Sequence, residues 1–125
     1  MLISGIHHAT FITCDLTKAR KFYEGVLGLQ VDGKRPALGY EGVWYEIGPM
    51  QQIHLMCLPD SESASAGVHS TAFGRERQVA FVVADMPQLV ERLSAAGIVH
   101  SWSKSGRAAV FCRDPDQNVL EFIAQ

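Results

Sequence analysis

Residues 6–14 (IHHATFITC) alternate between two faces and are rich in β-branched and aromatic side chains, which predicts a strand. Its two-residue period sets His8, Thr10 and Ile12 on one face and His7, Ala9, Phe11 and Thr13 on the other. Past Asp15, which suits a helix N-cap, the period changes. Leu16, Ala19, Phe22, Tyr23, Val26 and Leu27 fall on one helical stripe, Lys18, Arg20, Lys21 and Glu24 lie mostly outside it, and Gly28 can end the helix. A turn-rich segment through Gly33, Pro36 and Gly39 separates residues 29–31 from two further strands, at about 43–47 and 51–57. In the last of these Gln52, His54 and Met56 share one face, and Ile53 and Leu55 take the other. The first half thus reads as one β-α-β-β-β unit.

The second half repeats this order. Residues 78–83 form a strand whose alternation matches residues 8–13 at an offset of seventy, so that His8 corresponds to Gln78, Phe11 to Phe81, Asp15 to Asp85 and Leu16 to Met86. Asp85 with Gln88 resembles a capping box, Pro87 is tolerated in a first turn, and Met86, Leu89, Val90 and Leu93 form the apolar stripe before Gly97. Residues 98–102, 108–112 and 118–123 supply three more strands, separated by the connection 103–107 and by the turn 114–117. Aligning the last strand with residues 51–57 sets Glu121 opposite His54 at an offset of 67. Between the halves, residues 59–77 (PDSESASAGVHSTAFGRER) lack periodicity and read as a linker, with His69 a solvated loop residue. The expected organisation is one domain over residues 1–125, with module one at about 4–58 and module two at about 78–125.

Composition narrows the function classes. The chain has 125 residues, 47% of them hydrophobic, enough for one domain with a real core. Its net charge of −2 and scattered basic residues give no footprint for nucleic acid or an acidic membrane surface. No apolar run reaches the roughly 18 residues of a membrane span, and the first residues lack the pattern of a secretion signal, so a cytoplasmic protein is expected. Cys14, Cys57 and Cys112 sit in or beside apolar runs without C-x-x-C spacing, as buried reduced thiols do.

The repeat turns single polar residues into a set. His8 and His54 of the first module match Gln78 and Glu121 of the second, and two imidazoles, an amide and a carboxylate could together hold a divalent ion. His8, His54 and Glu121 alone would make a two-histidine, one-carboxylate triad. The plainer alternative is a wet groove lined by polar residues. His7 and His100 have no repeat equivalent and read as structural or surface residues.

Three stretches carry a family resemblance over nearly the whole chain: IHHATFITCDLTKARKFYEGVLGLQV, QVAFVVADMPQLVERLSAAGI and RDPDQNVLEF, the last the most specific because an acid follows a D-P-D-x-N turn. With these the chain resembles the vicinal-oxygen-chelate superfamily of glyoxalases, bleomycin-binding proteins and extradiol dioxygenases. The resemblance implies an α+β fold in which paired β-α-β-β-β modules form an open, barrel-like sheet around a cavity, often completed in a homodimer. It also implies metal ligands on equivalent strands, which here would be His8, His54, Gln78 and Glu121, holding zinc, nickel, cobalt, manganese or iron. Gln78 departs from the histidine common at its position in metal-binding members.

Two functions follow from the resemblance. One is a metal-dependent, glyoxalase-like lyase or isomerase in which the ion stabilises an enediolate or oxyanion of a small oxygen-bearing substrate and Glu121 doubles as general base. Of Arg75, Arg77, Lys104 and Arg107, the preferred partner for a substrate carboxylate is Arg107. The other is a metal-free protein of the bleomycin-resistance kind that sequesters a drug or metabolite by aromatic contact, with Trp44, Tyr45, Phe111 and Trp102 as lining candidates.

Overall fold

The computed structural model describes residues 1–59 and 73–125, and divides into two compact units, Met1–Ser61 and Glu62–Gln125. Most of the expected linker, with His69, lies outside the described residues.

In the first unit, β1 (His8–Thr13) runs into a helix, α1 (Leu16–Arg20), whose entry Asp15 caps by accepting from the Lys18 backbone N–H at 3.1 Å. The helix continues as a π-helical segment, Lys21–Val26, in which the Leu27 N–H reaches back to the Phe22 carbonyl. Gly28, at φ 74°, turns the chain out of the helix in a conformation that costs a side-chain-bearing residue more than glycine. β2 (Gln30–Val31), β3 (Gly42–Glu46) and β4 (Gln52–Cys57) follow, and the sheet order is β1-β4-β3-β2 with β1 parallel to β4. One face of this sheet is buried. Phe11, Val43, Tyr45, Ile53 and Leu55 form it together with Ala19, Phe22 and Tyr23, and Tyr23 stacks near both Phe11 and Tyr45. The buried Tyr45 hydroxyl donates to Glu24 Oε2 at 3.0 Å, and Arg20 pairs with the same carboxylate. The other face carries His8, Thr10 and Ile12 on β1, Gln52, His54 and Met56 on β4, and Gly42 and Trp44 on β3, all half-buried or exposed.

The second unit repeats the order. β5 (Gln78–Val83), α2 (Met86–Ala95), β6 (His100–Trp102), β7 (Ala109–Arg113) and β8 (Val119–Ala124) give the sheet β5-β8-β7-β6, with β5 parallel to β8. Asp85 caps α2 through the Gln88 N–H at 2.9 Å. Corresponding strands share their register: His8 faces Gln52 as Gln78 faces Val119, and Thr10 faces His54 as Ala80 faces Glu121. The predicted repeat is therefore realised residue for residue in the parallel pairs. The D-P-D-x-N turn explains why the last strand begins where it does. Buried Asp114 accepts from the backbone N–H groups of Asp116 and Asn118 and from the Asn118 side chain, at 2.8–2.9 Å. That knot sets β8 against β7 and so fixes where Glu121 emerges.

Beside β7, Phe73–Arg75 forms a single 3-10 turn, and Phe73 is buried against Phe111 and Val119. Arg113 lies over the Phe73 ring and pairs with Glu76. The end of the stretch read as linker is thus folded onto the second sheet. Each sheet is an open four-stranded layer, giving the expected α+β architecture. Among the described residues no helix is long and apolar enough to cross a membrane.

Candidate functional site

The open face of the first sheet brings His8 and His54 together, but with their rings face to face: the centroids are 4.1 Å apart and the planes 14° from parallel. Trp44 lies parallel to His54 on its other strand neighbour, at 4.3 Å and 6°. Trp44, His54 and His8 therefore form one row of stacked rings across β3, β4 and β1. Such a row is a consequence of register, since Trp44 and His54 are direct cross-strand partners and His8 reaches His54 along the diagonal.

His54 is also held in its own plane. Its Nε2 lies 2.8 Å from Gln52 Oε1, and Gln52 Nε2 donates to Asp32 Oδ2 at 2.8 Å. A carboxylate only accepts, so Asp32 orients the Gln52 amide nitrogen toward itself and leaves the amide oxygen facing the imidazole. Nε2 of His54 is then the protonated nitrogen, and Nδ1 keeps its lone pair. Asp32 is anchored in turn: it is buried and accepts from the Lys34 N–H through Oδ1. Partial burial, then the neighbouring His8, His7 and Arg35, hold the His54 pKa below its ordinary value, with Asp32 opposing. His7 and His8 bring their Nδ1 atoms to 2.9 Å.

In the second unit, Gln78 is exposed at the start of β5 and Glu121 lies on the adjacent strand, on the same sheet face. Glu121 is buried, and its Oε1 meets the Arg107 Nη2 at 3.2 Å. Arg107 itself is 61% exposed in its side chain. That pairing gives Arg107 a carboxylate of its own, which a substrate carboxylate would have to share. Of the aromatic candidates, only Trp44 joins the histidines. Tyr45 is buried on the opposite face of its sheet, Phe111 is buried beneath Phe73 as the cross-strand partner of Glu121, and Trp102 is exposed on β6.

The stacked imidazoles do not, as arranged, fit a shared ion. Two ligands must aim in-plane lone pairs at one point roughly 2.0–2.1 Å from each nitrogen, whereas parallel rings 4.1 Å apart aim theirs in separate planes. His54 alone has the support usual for a ligand, because its second nitrogen is tied to a hydrogen-bonded carboxylate relay. Among the described residues, no group of three or more His, Cys, Asp or Glu side chains is placed to hold a metal ion.

Sequence reading missed Asp32 and Arg35, both in the turn-rich segment between β2 and β3, where no period marks a face. It placed Gln52 beside His54 by alternation without seeing what the amide does. Arg35 matters because it stands over the same face. A Cβ built on Gly42, two residues from Trp44 on β3, would meet Arg35 Nη2 at 3.0 Å.

The described fold has close structural likenesses. A glyoxalase family protein from Enterococcus faecalis superposes with a TM-score of 0.75 at 19% identity, covering 98% of this chain and 99% of that one. TnmS3, an antibiotic binding protein from Streptomyces sp. CB03234, gives 0.73 at 18% identity, with 99% and 98% covered. Lactoylglutathione lyase from Agrobacterium tumefaciens gives 0.65 at 23% identity, with 99% and 96% covered. At these identities the likeness establishes the fold and leaves activity open. No curated protein matches the sequence at a significant level. The model of the Glyoxalase/Bleomycin resistance protein/Dioxygenase superfamily matches residues 5–122, nearly the whole chain, and the protein belongs to that superfamily.

Proposed function

We propose that the protein binds a small, flat organic molecule on the open face of its first sheet, without needing a metal ion. The observation that carries this reading is the Trp44–His54–His8 ring row, which presents half-buried and exposed aromatic edges beside Met56 on an otherwise accessible face. Aromatic surface held rigid by register binds planar ligands at little conformational cost. The tautomer relay through Gln52 and Asp32 adds a lone-pair acceptor at His54 Nδ1. An antibiotic binding protein with this fold is a precedent for such a use.

A second reading keeps His8, His54, Gln78 and Glu121 as ligands of a divalent ion in a glyoxalase-like lyase or isomerase, with Glu121 as base. Two observations favour it: the relay behind His54, and a Glu121 carboxylate whose Oε2 has no partner among the described residues. It requires His8 to leave the stack and turn.

Metal analysis separates the two. The protein is purified without chelator beside His54→Ala and Glu121→Gln, and naphthylacetamide binding is measured before and after EDTA. The proposed reading expects substoichiometric metal and EDTA-insensitive binding. Stoichiometric metal in the parent, lost in both variants, would establish the second reading instead.

A further inference from the structure

Among the described residues, Arg35 is a cation without a counter-ion on the face that carries the ring row. Among the described residues the ion pairs are Arg20–Glu24, Arg107–Glu121 and Arg113–Glu76, and none involves Arg35. Its guanidinium is nevertheless held in place: Nη2 donates to the Tyr40 carbonyl at 2.9 Å, and Cζ lies 5.2 Å from the centre of the Tyr40 ring. Holding it there has a cost, because Nε is buried and meets no acceptor among the described residues. A buried donor left unmade costs about 1–3 kcal/mol and calls for an explanation. Gly42 supplies the room. A side chain at this position would press on Arg35 Nη2 and, more severely, on the Leu55 carbonyl at 2.3 Å.

Position then suggests the use. Gly42 and Trp44 share a face of β3, and residues two apart on a strand are about 6–7 Å apart. The guanidinium therefore stands one side-chain step from the Trp44–His54 pair, close enough for its field to act on His54. Nη1 has no hydrogen-bond partner among the described residues, so the cation keeps donors to offer.

We infer that Arg35 is the anion-recognising residue of this face and that the ligand is an aromatic or otherwise flat molecule bearing a carboxylate, whose apolar body lies along the ring row while the carboxylate meets the guanidinium. The inference rests on the small-molecule reading above and specifies its ligand class. A guanidinium already fixed by Tyr40 loses little freedom on pairing, and its charge strengthens the hydrogen bond it makes.

The test compares naphthylacetate with its neutral isostere naphthylacetamide by isothermal titration calorimetry on the full chain. The parent should bind the acetate about tenfold more tightly than the amide, the gain expected of one charge-assisted contact. In Arg35→Gln the two affinities should converge to within about twofold. Should that variant not fold, Arg35→Lys, which keeps the charge but not the planar fork, should lose at least about threefold of the preference. Equal binding of acetate and amide by the parent, or a preference that survives Arg35→Gln, overturns the role of Arg35 and leaves the small-molecule reading standing. Binding of neither probe overturns both.

Discussion

Replacing Gln52 by leucine should break the relay that sets the His54 tautomer, and its effect can be worked from two hydrogen bonds. The first, Gln52 Nε2 to Asp32 Oδ2 at 2.8 Å, has a charged acceptor that is only 7% exposed, and is worth about 1.5–3 kcal/mol. The second, between His54 Nε2 and Gln52 Oε1, joins neutral groups and is worth about 0.5–1.5 kcal/mol. Leucine returns about 1 kcal/mol through the apolar surface it covers at a half-buried position. The net loss is about 2 kcal/mol, or about 6–10 °C in Tm for a chain of this length. Asp32 keeps the Lys34 N–H, so the loop has an anchor left and the fold should survive. Calorimetry reads the stability, and long-range proton–nitrogen correlation spectra read the ring. The parent should show His54 protonated at Nε2, and Gln52→Leu a mixture of tautomers. A parent protonated at Nδ1, or a Tm change under about 2 °C, would refute the relay.

Three further outcomes follow from the same geometry. Gly42→Ala places a methyl group 2.3 Å from the Leu55 carbonyl and should cost about 2–3 kcal/mol in urea denaturation; a loss below about 0.5 kcal/mol would show that β3 and β4 can part without strain. Because the folded chain holds the His54 pKa below its ordinary 6.5, the unfolded chain binds more protons just below that pH, and stability should fall as pH drops through this window. His54→Gln should flatten the fall between about pH 7.5 and about pH 5.5, and an unchanged slope would remove His54 as its source. Burial, then Asp114, pushes the Cys112 thiol up to about 12, and Cys57 is also buried, so iodoacetamide should modify at most Cys14 in the native protein and all three thiols once it is unfolded; native labelling at Cys112, read by mass spectrometry, would contradict the packing of β7.

Much of this fold was legible because strands bury by alternation. The period of two placed His8 and His54 on one face, and the offsets of seventy and 67 anticipated the matched registers of β1 with β4 and β5 with β8. Asp15 and Asp85 announced their helices through capping chemistry that acts within three residues. What escaped lies where no period operates. The π-helical segment after Arg20 keeps the apolar stripe of an ordinary helix, so composition does not mark it. Asp32 and Arg35 sit in an aperiodic turn segment, and only the folded backbone aims them at β3 and β4. Phe73 sat among small and polar residues that read as linker, yet its ring finds Phe111 through a contact between residues distant in sequence. Residue types made His8 and His54 plausible co-ligands, but ring orientation, which decides whether two imidazoles can share an ion, is a property of rotamers and of Trp44 beside them.

The most direct measurement of the central claim is a map of amide and ring chemical-shift changes when naphthylacetamide is added to protein stripped of metal. Saturable shifts centred on His8, Trp44 and His54, diminished in Trp44→Ala, are the expected result. Shifts that appear only after a divalent ion is restored, or that leave these three residues unmoved, would contradict it.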